Sequence, residues 1–358
     1  MRIGIPKEIK TLEGRVGLIP AACADLVQAG HAVAVEAGAG RHSGYTDDEF
    51  RAAGVEVLPD AAAVYAHGEL IIKVKEPVQG DLEHLRPDHL LFCYLHLAAE
   101  VQLARQLQAI GLTAIGFETV TRAGGLPLLA PMSDIAGRLA VQIGASLLQT
   151  PNGGKGLLLG GLPATERGRV TIIGGGFAGG NAAAMAAVMG AEVLVFDKKR
   201  DRLQALHGLG PNVTALYPYR GAVVEAVAGS DILIGAVLIP GARAPHVVSA
   251  AMIETLAPGS VVVDISVDQG GCIETIHPTD YSDPTYDWNG VVHFGVTNMP
   301  GAVPRSASQA LSAAVLPYAL QLAGEQNWSA DPGLAAGINI HAGDVVHPAV
   351  KAALGGRH

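Results

Sequence analysis

Short apolar runs alternate with amphipathic segments over the first third of the chain. The apolar runs predict β-strands at residues 2–6, 31–36, 55–58, 70–74, 89–96 and 112–118. Apolar residues at helical spacing predict helices at residues 21–28, 47–53, 60–66 and 99–110, and a glycine follows shortly after each of them. Strands that alternate with helices predict a parallel sheet covered on both faces.

A second alternating series begins at Arg169, after a long predicted helix at residues 131–149 and a glycine-rich connection. Its strands are predicted at residues 170–174, 192–196, 213–216, 232–236, 260–265 and 291–296, a number typical of a doubly wound nucleotide-binding sheet. Past Pro300 the pattern is helical at residues 306–322, then gives a short apolar run at 338–340 and a short helix at 348–354. This tail has no complete fold of its own, so we expect it to return to the first domain.

The two series together predict an α/β protein with two doubly wound parallel-sheet, Rossmann-like domains and an active-site cleft between them. A length of 358 residues suits two domains that each bury a core. We expect residues 1–130 and 303–358 to form a discontinuous substrate domain. Residues 131–302 are then expected to form the dinucleotide-binding domain.

A glycine-rich turn directly follows the first strand of the second series. It contains Gly174, Gly176 and Gly179 at the spacing of a dinucleotide-binding turn, and a helix-forming segment comes next. In such a turn the first glycine permits a sharp bend, the second lets the backbone approach pyrophosphate, and the third lets the helix pack on the strand. The helix N-terminus then offers free N–H groups to the phosphates.

Asp197 ends the next predicted strand, at the spacing expected for the acid that binds the adenosine ribose. A carboxylate there accepts hydrogen bonds from ribose hydroxyls and disfavours a 2′-phosphate, so the pattern predicts NAD. Lys198, Lys199 and Arg200 follow at once. This basic run is compatible either with a solvated turn or with tolerance of NADP.

Composition narrows the class of protein. The formal net charge is −9 and basic residues form no concentrated stretch, so a nucleic-acid partner is not expected. The mean hydropathy is +0.32, but the longest apolar runs are shorter than the roughly 18 residues of a membrane-spanning helix. Cys23, Cys93 and Cys272 are scattered, which predicts a cytoplasmic protein with no disulfide framework and no metal site.

Further motifs lie in order over nearly the whole chain. They are GIPKE at residues 4–8, EGRV at 13–16, KVKEP at 73–77, YLH at 94–96, PMSDIAG at 131–137, DISVDQGG at 264–271 and NMPGAVP at 298–304. Together they resemble the alanine dehydrogenase family, and they are far more specific than the glycine-rich turn alone. The resemblance implies NAD-dependent, reversible oxidative deamination of L-alanine to pyruvate and ammonium, usually in a homohexamer.

The resemblance also implies roles for individual residues. Arg15 matches the arginine that binds the substrate carboxylate, and Lys75 matches the lysine at the carboxylate and carbonyl end. His96 matches the acid/base, and Asp268 matches the aspartate that completes the site beside the nicotinamide. The implied cofactor contacts are Ser133 at the pyrophosphate, Asp197 at the ribose, and Val237, Leu238, Val267, Asn298 and Met299 on the nicotinamide side.

The implied roles suit the chemistry of these side chains. A guanidinium meets a carboxylate with two parallel hydrogen bonds, which suits Arg15 as the anchor. Imine hydrolysis needs a group such as His96 that both accepts and donates protons near neutral pH. Lys75 can stabilise a developing oxyanion. Taken alone, however, Lys75 could belong to a solvated edge strand and His96 could be a buried structural histidine.

Three other functions are compatible with a dinucleotide-binding chain of this pattern. One is the NAD-binding subunit of a proton-translocating transhydrogenase, which need not keep an alanine site. Another is a non-enzymatic NAD sensor, to which an acid/base set is superfluous. Saccharopine and lysine dehydrogenases share the broad architecture but require room for a long side chain.

Overall fold

The computed structural model describes residues 1–237 and 245–355. It divides the chain into two compact units. Unit 1 comprises Met1–Met132 together with the segment from Gly301 onward, and unit 2 comprises Ser133–Pro300. Leu238, one of the expected cofactor contacts, lies outside the described residues.

The regular elements follow the alternation expected from the sequence. The strands are β1 (Arg2–Ile5), β2 (Ala32–Glu36), β3 (Glu56–Leu58), β4 (Leu70–Ile72), β5 (Leu90–Cys93), β6 (Thr113–Gly116), β7 (Arg169–Ile173), β8 (Glu192–Phe196), β9 (Val213–Leu216), β10 (Ile232–Gly235), β11 (Val261–Asp264), β12 (Thr285–Trp288), β13 (Val291–Phe294), β14 (Ile338–His341) and β15 (Asp344–Val345). The helices are α1 (Pro20–Gln28), α2 (Asp47–Ala52), α3 (Ala61–His67), α4 (Gln79–Leu82), α5 (Val101–Ile110), α6 (Ala130–Leu147), α7 (Phe177–Val188), α8 (Arg200–His207), α9 (Arg220–Ala228), α10 (Ala250–Ile253), α11 (Pro304–Gly324), α12 (Pro332–Gly337) and α13 (Pro348–Gly355).

The sheet of unit 1 has eight strands in the order β15-β14-β6-β5-β4-β1-β2-β3. The strands from β3 to β6 are parallel, whereas β14 pairs antiparallel with both β6 and β15. The tail of the chain therefore adds an antiparallel edge to the first sheet. Strand β1 lies between β2 and β4, so the strand order reverses between β1 and β4. The loops after these two strands therefore run to opposite sides of the sheet. Doubly wound sheets bind ligands in the crevice that such a reversal leaves.

The sheet of unit 2 has seven strands in the order β12-β13-β11-β10-β7-β8-β9. Its order reverses between β7 and β10, as in dinucleotide-binding sheets. Strand β12 is an antiparallel addition that the apolar pattern does not predict. These two sheets confirm the predicted doubly wound, parallel-dominated fold. Each sheet differs from an all-parallel one at one edge, where β14 and β15 in unit 1 and β12 in unit 2 are antiparallel.

The central strands are buried throughout and mostly apolar, with Asp264 at the end of β11 as a buried charged residue. Every residue of β4, β5, β10 and β11 is buried, because helices cover both faces of a parallel sheet. Strands β4 and β5 end earlier than the predicted ranges 70–74 and 89–96, so Lys75 and His96 lie in the loops beyond them. Over residues 1–237 and 245–355, no helix is both long enough and apolar enough to cross a membrane.

Candidate active site

A buried group of charges lies at the strand-order reversal of unit 1. Lys73 follows β4 directly, and its Nζ lies 3.4 Å from Glu8 Oε2 and 3.1 Å from Asp81 Oδ1. The hydroxyl of Tyr65 donates to the same Asp81 oxygen at 2.8 Å. Burial lowers the pKa of Lys73, but the charges of Glu8 and Asp81 outweigh this effect and raise the pKa above its ordinary value. Glu8, Lys73, Asp81 and Tyr65 are called the Lys73 cluster below.

The Lys73 cluster also holds the backbone that carries Lys75. Oε1 of Glu8 accepts the backbone N–H of Val74 at 2.6 Å and that of Lys75 at 3.4 Å. The Lys75 side chain is only 17% exposed, and its Nζ lies 3.5 Å from Oε2 of Glu76. Burial raises the pKa of Glu76, but Lys75 and Lys10 outweigh it and lower the pKa. The structure thus places Lys75 as a half-buried cation at the carboxyl edge of the sheet.

Arg15 lies in the loop after β1 and is buried. Its Nε donates to Glu13 Oε1 at 2.7 Å and its Nη2 donates to Glu13 Oε2 at 2.6 Å. Its Nη1 lies 3.2 Å from the sulfur of Met132. Burial lowers the pKa of Arg15, but the hydrogen bond and the charge of Glu13 outweigh it and raise the pKa. The guanidinium is therefore held in one orientation by a bidentate carboxylate.

The tail of the chain fixes the Arg15 loop. In α11, Ser308 Oγ accepts the N–H of Val16 at 3.0 Å and Ser312 Oγ accepts the N–H of Ile19 at 2.9 Å. Both serines are buried. The local sequence does not indicate this role, since two serines one helical turn apart are common on any helix.

His96 lies just beyond β5 with an exposed side chain and a left-handed backbone, φ +49°. A left-handed conformation costs a residue with a Cβ about 1–2 kcal/mol. The imidazole stacks on the ring of Tyr94, with centroids 6.0 Å apart and planes 6° apart. Tyr94 is buried and its hydroxyl donates to the carbonyl of Leu128 at 2.6 Å. Burial raises the pKa of Tyr94, and the nearby Arg15 opposes that effect.

The structure therefore brings the expected substrate residues to one edge of the unit 1 sheet. Lys75 follows β4 and His96 follows β5, and these strands are parallel neighbours. Tyr94 lies between Arg15 and His96. Its hydroxyl is within electrostatic range of the Arg15 guanidinium, and its ring stacks with the imidazole of His96. The arrangement offers two cations and an exposed imidazole, which suits a small carboxylate-bearing substrate.

The glycine-rich turn of unit 2 is shaped by close backbone contacts. Gly174 has φ +100°, and a Cβ there would lie 2.5 Å from the carbonyl oxygen of Ala236. A Cβ on Gly179 would lie 1.7 Å from the carbonyl oxygen of Gly174. A Cβ on Gly176, by contrast, would come no closer than 3.7 Å to Nη1 of Arg202. Packing of the protein itself requires Gly174 and Gly179, whereas Gly176 leaves open space at the N-terminus of α7.

That open space fits the pyrophosphate of a dinucleotide. Helix α7 begins directly after Gly176 and spans 12 residues, so its first N–H groups face the space with the positive end of the helix dipole. Ser133 lies in α6, which crosses α7 closely: a Cβ on Gly137 would lie 2.0 Å from the carbonyl oxygen of Ala178. Asp134, next to Ser133, accepts a hydrogen bond from Asn181 of α7 at 2.8 Å.

Asp197 follows β8 and holds the same turn. Its Oδ2 accepts the N–H of Gly175 at 2.9 Å, and its Oδ1 accepts the N–H of Lys199 at 2.8 Å. Nη1 of Arg202 donates to Oδ2 at 3.2 Å. A carboxylate accepts about four hydrogen bonds, which leaves capacity for ribose hydroxyls. Arg202 lies beyond the basic run of residues 198–200, and its contact with Asp197 is not predicted from the sequence pattern.

The expected nicotinamide contacts follow the central strands of unit 2. Val237 follows β10, buried Val267 and exposed Asp268 form a short turn after β11, and Asn298 and Met299 follow β13. Asn298 has a left-handed backbone, φ +60°. The carbonyl of buried Met299 accepts the hydroxyl of Tyr281 at 3.0 Å. The parallel strands place all these residues at the edge that also carries the glycine-rich turn.

Asp264 at the end of β11 fixes the loop that carries Val267 and Asp268. Its carboxylate accepts the N–H groups of Ser266 at 2.8 Å, Cys272 at 2.7 Å and Ile273 at 3.0 Å. Burial raises the pKa of Asp264 against these three hydrogen bonds. The motif DISVDQGG contains this residue, but the spacing alone does not indicate that it closes the loop on itself.

Both units match models of one protein family. Residues 4–136 match "Alanine dehydrogenase/PNT, N-terminal domain", and residues 140–348 match "Alanine dehydrogenase/PNT, C-terminal domain". The alanine dehydrogenase of Bacillus subtilis (strain 168) is 48% identical over 99% of this chain and 95% of its own length. The alanine dehydrogenase of Halomonas elongata is 47% identical over 99% of this chain and 97% of its own length.

Two solved structures are similar to this chain over nearly its whole length. One described as L-alanine dehydrogenase is 49% identical, with a TM-score of 0.95 over 99% of both chains. A transhydrogenase from Sinorhizobium meliloti is more distant, at 27% identity and a TM-score of 0.85 over 98% of this chain and 100% of that one. The family models and the full-length relatives agree, and the chain belongs to the alanine dehydrogenase/PNT family.

Proposed function

We propose that this chain catalyses the reversible, NAD-dependent oxidative deamination of L-alanine to pyruvate and ammonium. The observation that carries the proposal is the carboxyl edge of the unit 1 sheet. There the guanidinium of Arg15, the half-buried Lys75 and the exposed imidazole of His96 lie in the loops after three neighbouring strands, β1, β4 and β5. The high identity to alanine dehydrogenases over the full length supports the same substrate.

Arg15 and Lys75 are proposed to bind the carboxylate shared by alanine and pyruvate. Their positive charges offset the substrate charge, and the bidentate contact of Glu13 keeps the Arg15 plane fixed. Lys75 also stabilises the oxygen that develops negative charge when water adds to the imine carbon.

His96 is proposed to move the protons of that hydrolysis. It accepts a proton from the water that attacks the iminium carbon, and it returns that proton to the nitrogen of the resulting carbinolamine. The hydroxyl proton of the carbinolamine follows as the C–N bond breaks and the C=O bond forms, so the nitrogen leaves as ammonium. Its exposed side chain can exchange protons with solvent. Asp268 is proposed to orient the water or the ammonium and to balance the positive charges of the site.

Unit 2 is proposed to hold the cofactor. The bound dinucleotide supplies the acceptor for the hydride that leaves the alanine Cα. Gly174, Gly176 and Gly179 with the N-terminus of α7 would hold its pyrophosphate together with Ser133, and Asp197 would hold the adenosine ribose. Val237, Leu238, Val267, Asn298 and Met299 would line the nicotinamide side.

Family membership also supports several finer proposals. We assign residues 1–130 and 303–358 to substrate binding and residues 131–302 to dinucleotide binding. We further propose that NAD is preferred over NADP, that the chain forms a homohexamer, and that it acts in the cytoplasm.

The direct test is turnover by the purified chain. We expect NADH to form from NAD and L-alanine, with weaker activity on larger amino acids and with NADP. Absence of alanine-dependent NADH formation, together with intact NADH binding, would favour the second candidate, a transhydrogenase-like subunit that resembles the Sinorhizobium meliloti structure.

His96→Ala tests the acid/base assignment. Since general acid–base catalysis contributes about 10²- to 10⁴-fold, kcat should fall by that factor. The dissociation constant of NADH should stay unchanged, because the nucleotide is assigned to unit 2. Equal losses of NADH affinity and activity would instead identify His96 as a structural residue.

A further inference from the structure

Glu118 lies in the turn after β6, and its carboxylate faces the segment after β5. Strands β5 and β6 are adjacent and parallel, so the turns that follow them lie side by side. Oε1 of Glu118 lies 2.7 Å from the backbone N of His96, and Oε2 lies 3.1 Å from the backbone N of Leu95. Two successive N–H groups therefore converge on one carboxylate.

The backbone that follows these two N–H groups is unusual. His96 is left-handed, with φ +49°, and its own N–H is one of the two groups that the Glu118 carboxylate accepts. The carboxylate therefore fixes the peptide plane on the N-terminal side of His96. A left-handed residue other than glycine persists only where its surroundings hold it. Here one of the holding groups is the side-chain carboxyl of Glu118, 22 positions away in the sequence.

The peptide group after His96 is also fixed by hydrogen bonds. The His96 carbonyl accepts the N–H of Ala99 at 2.9 Å and that of Glu100 at 3.1 Å. The backbone of His96 is thus bonded on both sides, while its imidazole is exposed and lies parallel to the ring of Tyr94. Because φ sets the direction of the Cα–Cβ bond, loss of the left-handed conformation would turn the imidazole away from its present place.

We propose that Glu118 is a positioning residue, which holds the backbone of His96 left-handed and thereby aims the imidazole at the substrate. The proposal rests on the acid/base role assigned to His96 above. Glu118 acts through backbone N–H groups and needs no contact with the substrate. Its loss should therefore lower kcat while substrate binding by Arg15 and cofactor binding persist.

Glu118→Ala tests the proposal, with Thr119→Val as the matched control. A misplaced catalytic group costs about 10²-fold, so kcat should fall by roughly 30- to 100-fold, with the KM for pyruvate and the Kd of NADH within about threefold. Thr119 lies on the same turn, and its hydroxyl bonds to Gly116, Gly337 and Asn339 rather than to the His96 segment. Thr119→Val should lower Tm and leave kcat unchanged.

Glu118→Gln supplies the conservative variant. Its amide oxygen can still accept the His96 N–H, so kcat should recover to within about tenfold of the unaltered protein. Hydrogen exchange of the peptide that contains Leu95 and His96 should nevertheless quicken, since the second acceptor is gone. Exchange as slow as in the unaltered protein would overturn the proposal, and this readout does not depend on activity or on whether Glu118→Ala folds.

The double variant His96→Ala/Glu118→Ala separates the two assignments. If Glu118 acts through His96, adding Glu118→Ala to His96→Ala should change kcat by less than about threefold. An additive loss would overturn the positioning role. An inactive His96→Ala beside a fully active Glu118→Ala would overturn the role of Glu118 alone, whereas a fully active His96→Ala would overturn the acid/base assignment and the positioning role together.

Discussion

The carboxyl edges of the two sheets are built by opposite means. In unit 1 the edge presents charged side chains, and Arg15 and Lys73 are buried in ion pairs with Glu13, Glu8 and Asp81. In unit 2 the edge presents backbone, and Gly174 and Gly179 approach other peptide groups too closely for any Cβ. A substrate carboxylate needs cationic side chains, whereas a pyrophosphate is bound well by N–H groups at a helix terminus.

The two edges nevertheless share one feature, a carboxylate side chain that accepts backbone N–H groups of a loop. Glu8 and Glu118 in unit 1, and Asp197 and Asp264 in unit 2, each accept backbone N–H groups from a loop at the sheet edge. A loop without regular secondary structure leaves such groups unpaired, and a buried unpaired N–H is costly. The carboxylates satisfy these groups and fix the loops, so the difference between the units lies in what each fixed loop presents.

The largest effect is expected from a methyl group at Gly179. In Gly179→Ala the new Cβ would meet the carbonyl oxygen of Gly174 at 1.7 Å, so α7 and the glycine-rich turn must separate. We expect loss of measurable NADH binding and a lowered Tm. Gly180→Ala is the matched control on the same helix. Its Cβ would come no closer than 3.9 Å to another group, and alanine favours the helix by about 1 kcal/mol, so binding should persist.

Retention of NADH affinity in Gly179→Ala, measured by fluorescence titration, would contradict the view that unit 2 depends on close backbone contact. The substrate edge of unit 1 provides an internal check. His96 and Arg15 belong to the other unit, so their local hydrogen exchange should be unaffected by either glycine variant.

The next largest effect is expected from Arg15→Lys. An ammonium keeps the charge but lacks the planar fork, so the bidentate bond to Glu13 is lost, and with it the proposed bidentate contact with the substrate carboxylate. A loss of about 2–4 kcal/mol of transition-state binding corresponds to roughly 30- to 1000-fold in kcat/KM for both alanine and pyruvate. The Kd of NADH should stay the same.

Arg51→Lys is the control for Arg15→Lys. Arg51 also pairs with a nearby acid, Asp48, but both side chains are exposed. Exposed pairs contribute about 0–1 kcal/mol, so this exchange should be silent in kinetics and stability. Near-normal kcat/KM in Arg15→Lys would contradict the anchor assignment and make Lys75 the leading carboxylate contact.

Apolar pattern predicts the buried strands well and the half-exposed elements poorly. Strand β12 has no apolar run, because it is a half-exposed edge. A signal for it exists nonetheless. Asn289 and Gly290 join β12 to β13 with φ +53° and +81°, and an Asn-Gly pair with positive φ is a strong hairpin signal. Strand β5 shows the opposite error, because the apolar run continues through buried Leu95, which lies beyond the sheet.

The site residues illustrate the limit of sequence analysis in a different way. The motifs contain Arg15, Lys75 and His96, but nothing in the local pattern pairs Glu118 with His96, 22 positions away. That pairing arises because β5 and β6 are neighbours, which is a property of topology. Arg202 was missed for a similar reason, since its contact with Asp197 depends on how α8 begins after the loop.

A smaller effect is expected at Asp197 of unit 2, the residue proposed to bind the adenosine ribose. Asp197→Ala removes the hydrogen-bond acceptor and the negative charge, while Arg202 remains able to meet a 2′-phosphate. The ratio of kcat/KM for NAD over that for NADP should fall by about tenfold or more, the worth of one charged hydrogen bond. In Asp197→Ala/Arg202→Ala the gain with NADP should disappear. An unchanged cofactor ratio in Asp197→Ala would assign the preference to another element, such as residues 198–200.

The smallest effect concerns a buried histidine in unit 1 that serves no proposed catalytic role. His89 is 1% exposed, its Nδ1 accepts the N–H of Arg86 at 3.1 Å, and its Nε2 donates to the carbonyl of Tyr65 at 3.0 Å. Burial lowers the pKa of His89, and the charge of Arg86 lowers it further. Unlike Lys73, whose ammonium pairs with carboxylates, this side chain hydrogen-bonds to backbone groups through both ring nitrogens.

The lowered pKa sets the direction of the pH dependence. Below pH about 6.5 the unfolded chain binds a proton that the folded His89 does not, so stability is lost as the pH falls from there toward the lower folded pKa. His89→Gln, which keeps one donor and one acceptor, should make Tm less sensitive to pH over that window by a few degrees. His341→Gln alters an exposed histidine of the same unit and should leave the slope as it is. If the two variants show the same slope as the unaltered protein, buried neutral histidine does not limit the acid stability of unit 1, and the carboxylates of the Lys73 cluster become the groups to titrate.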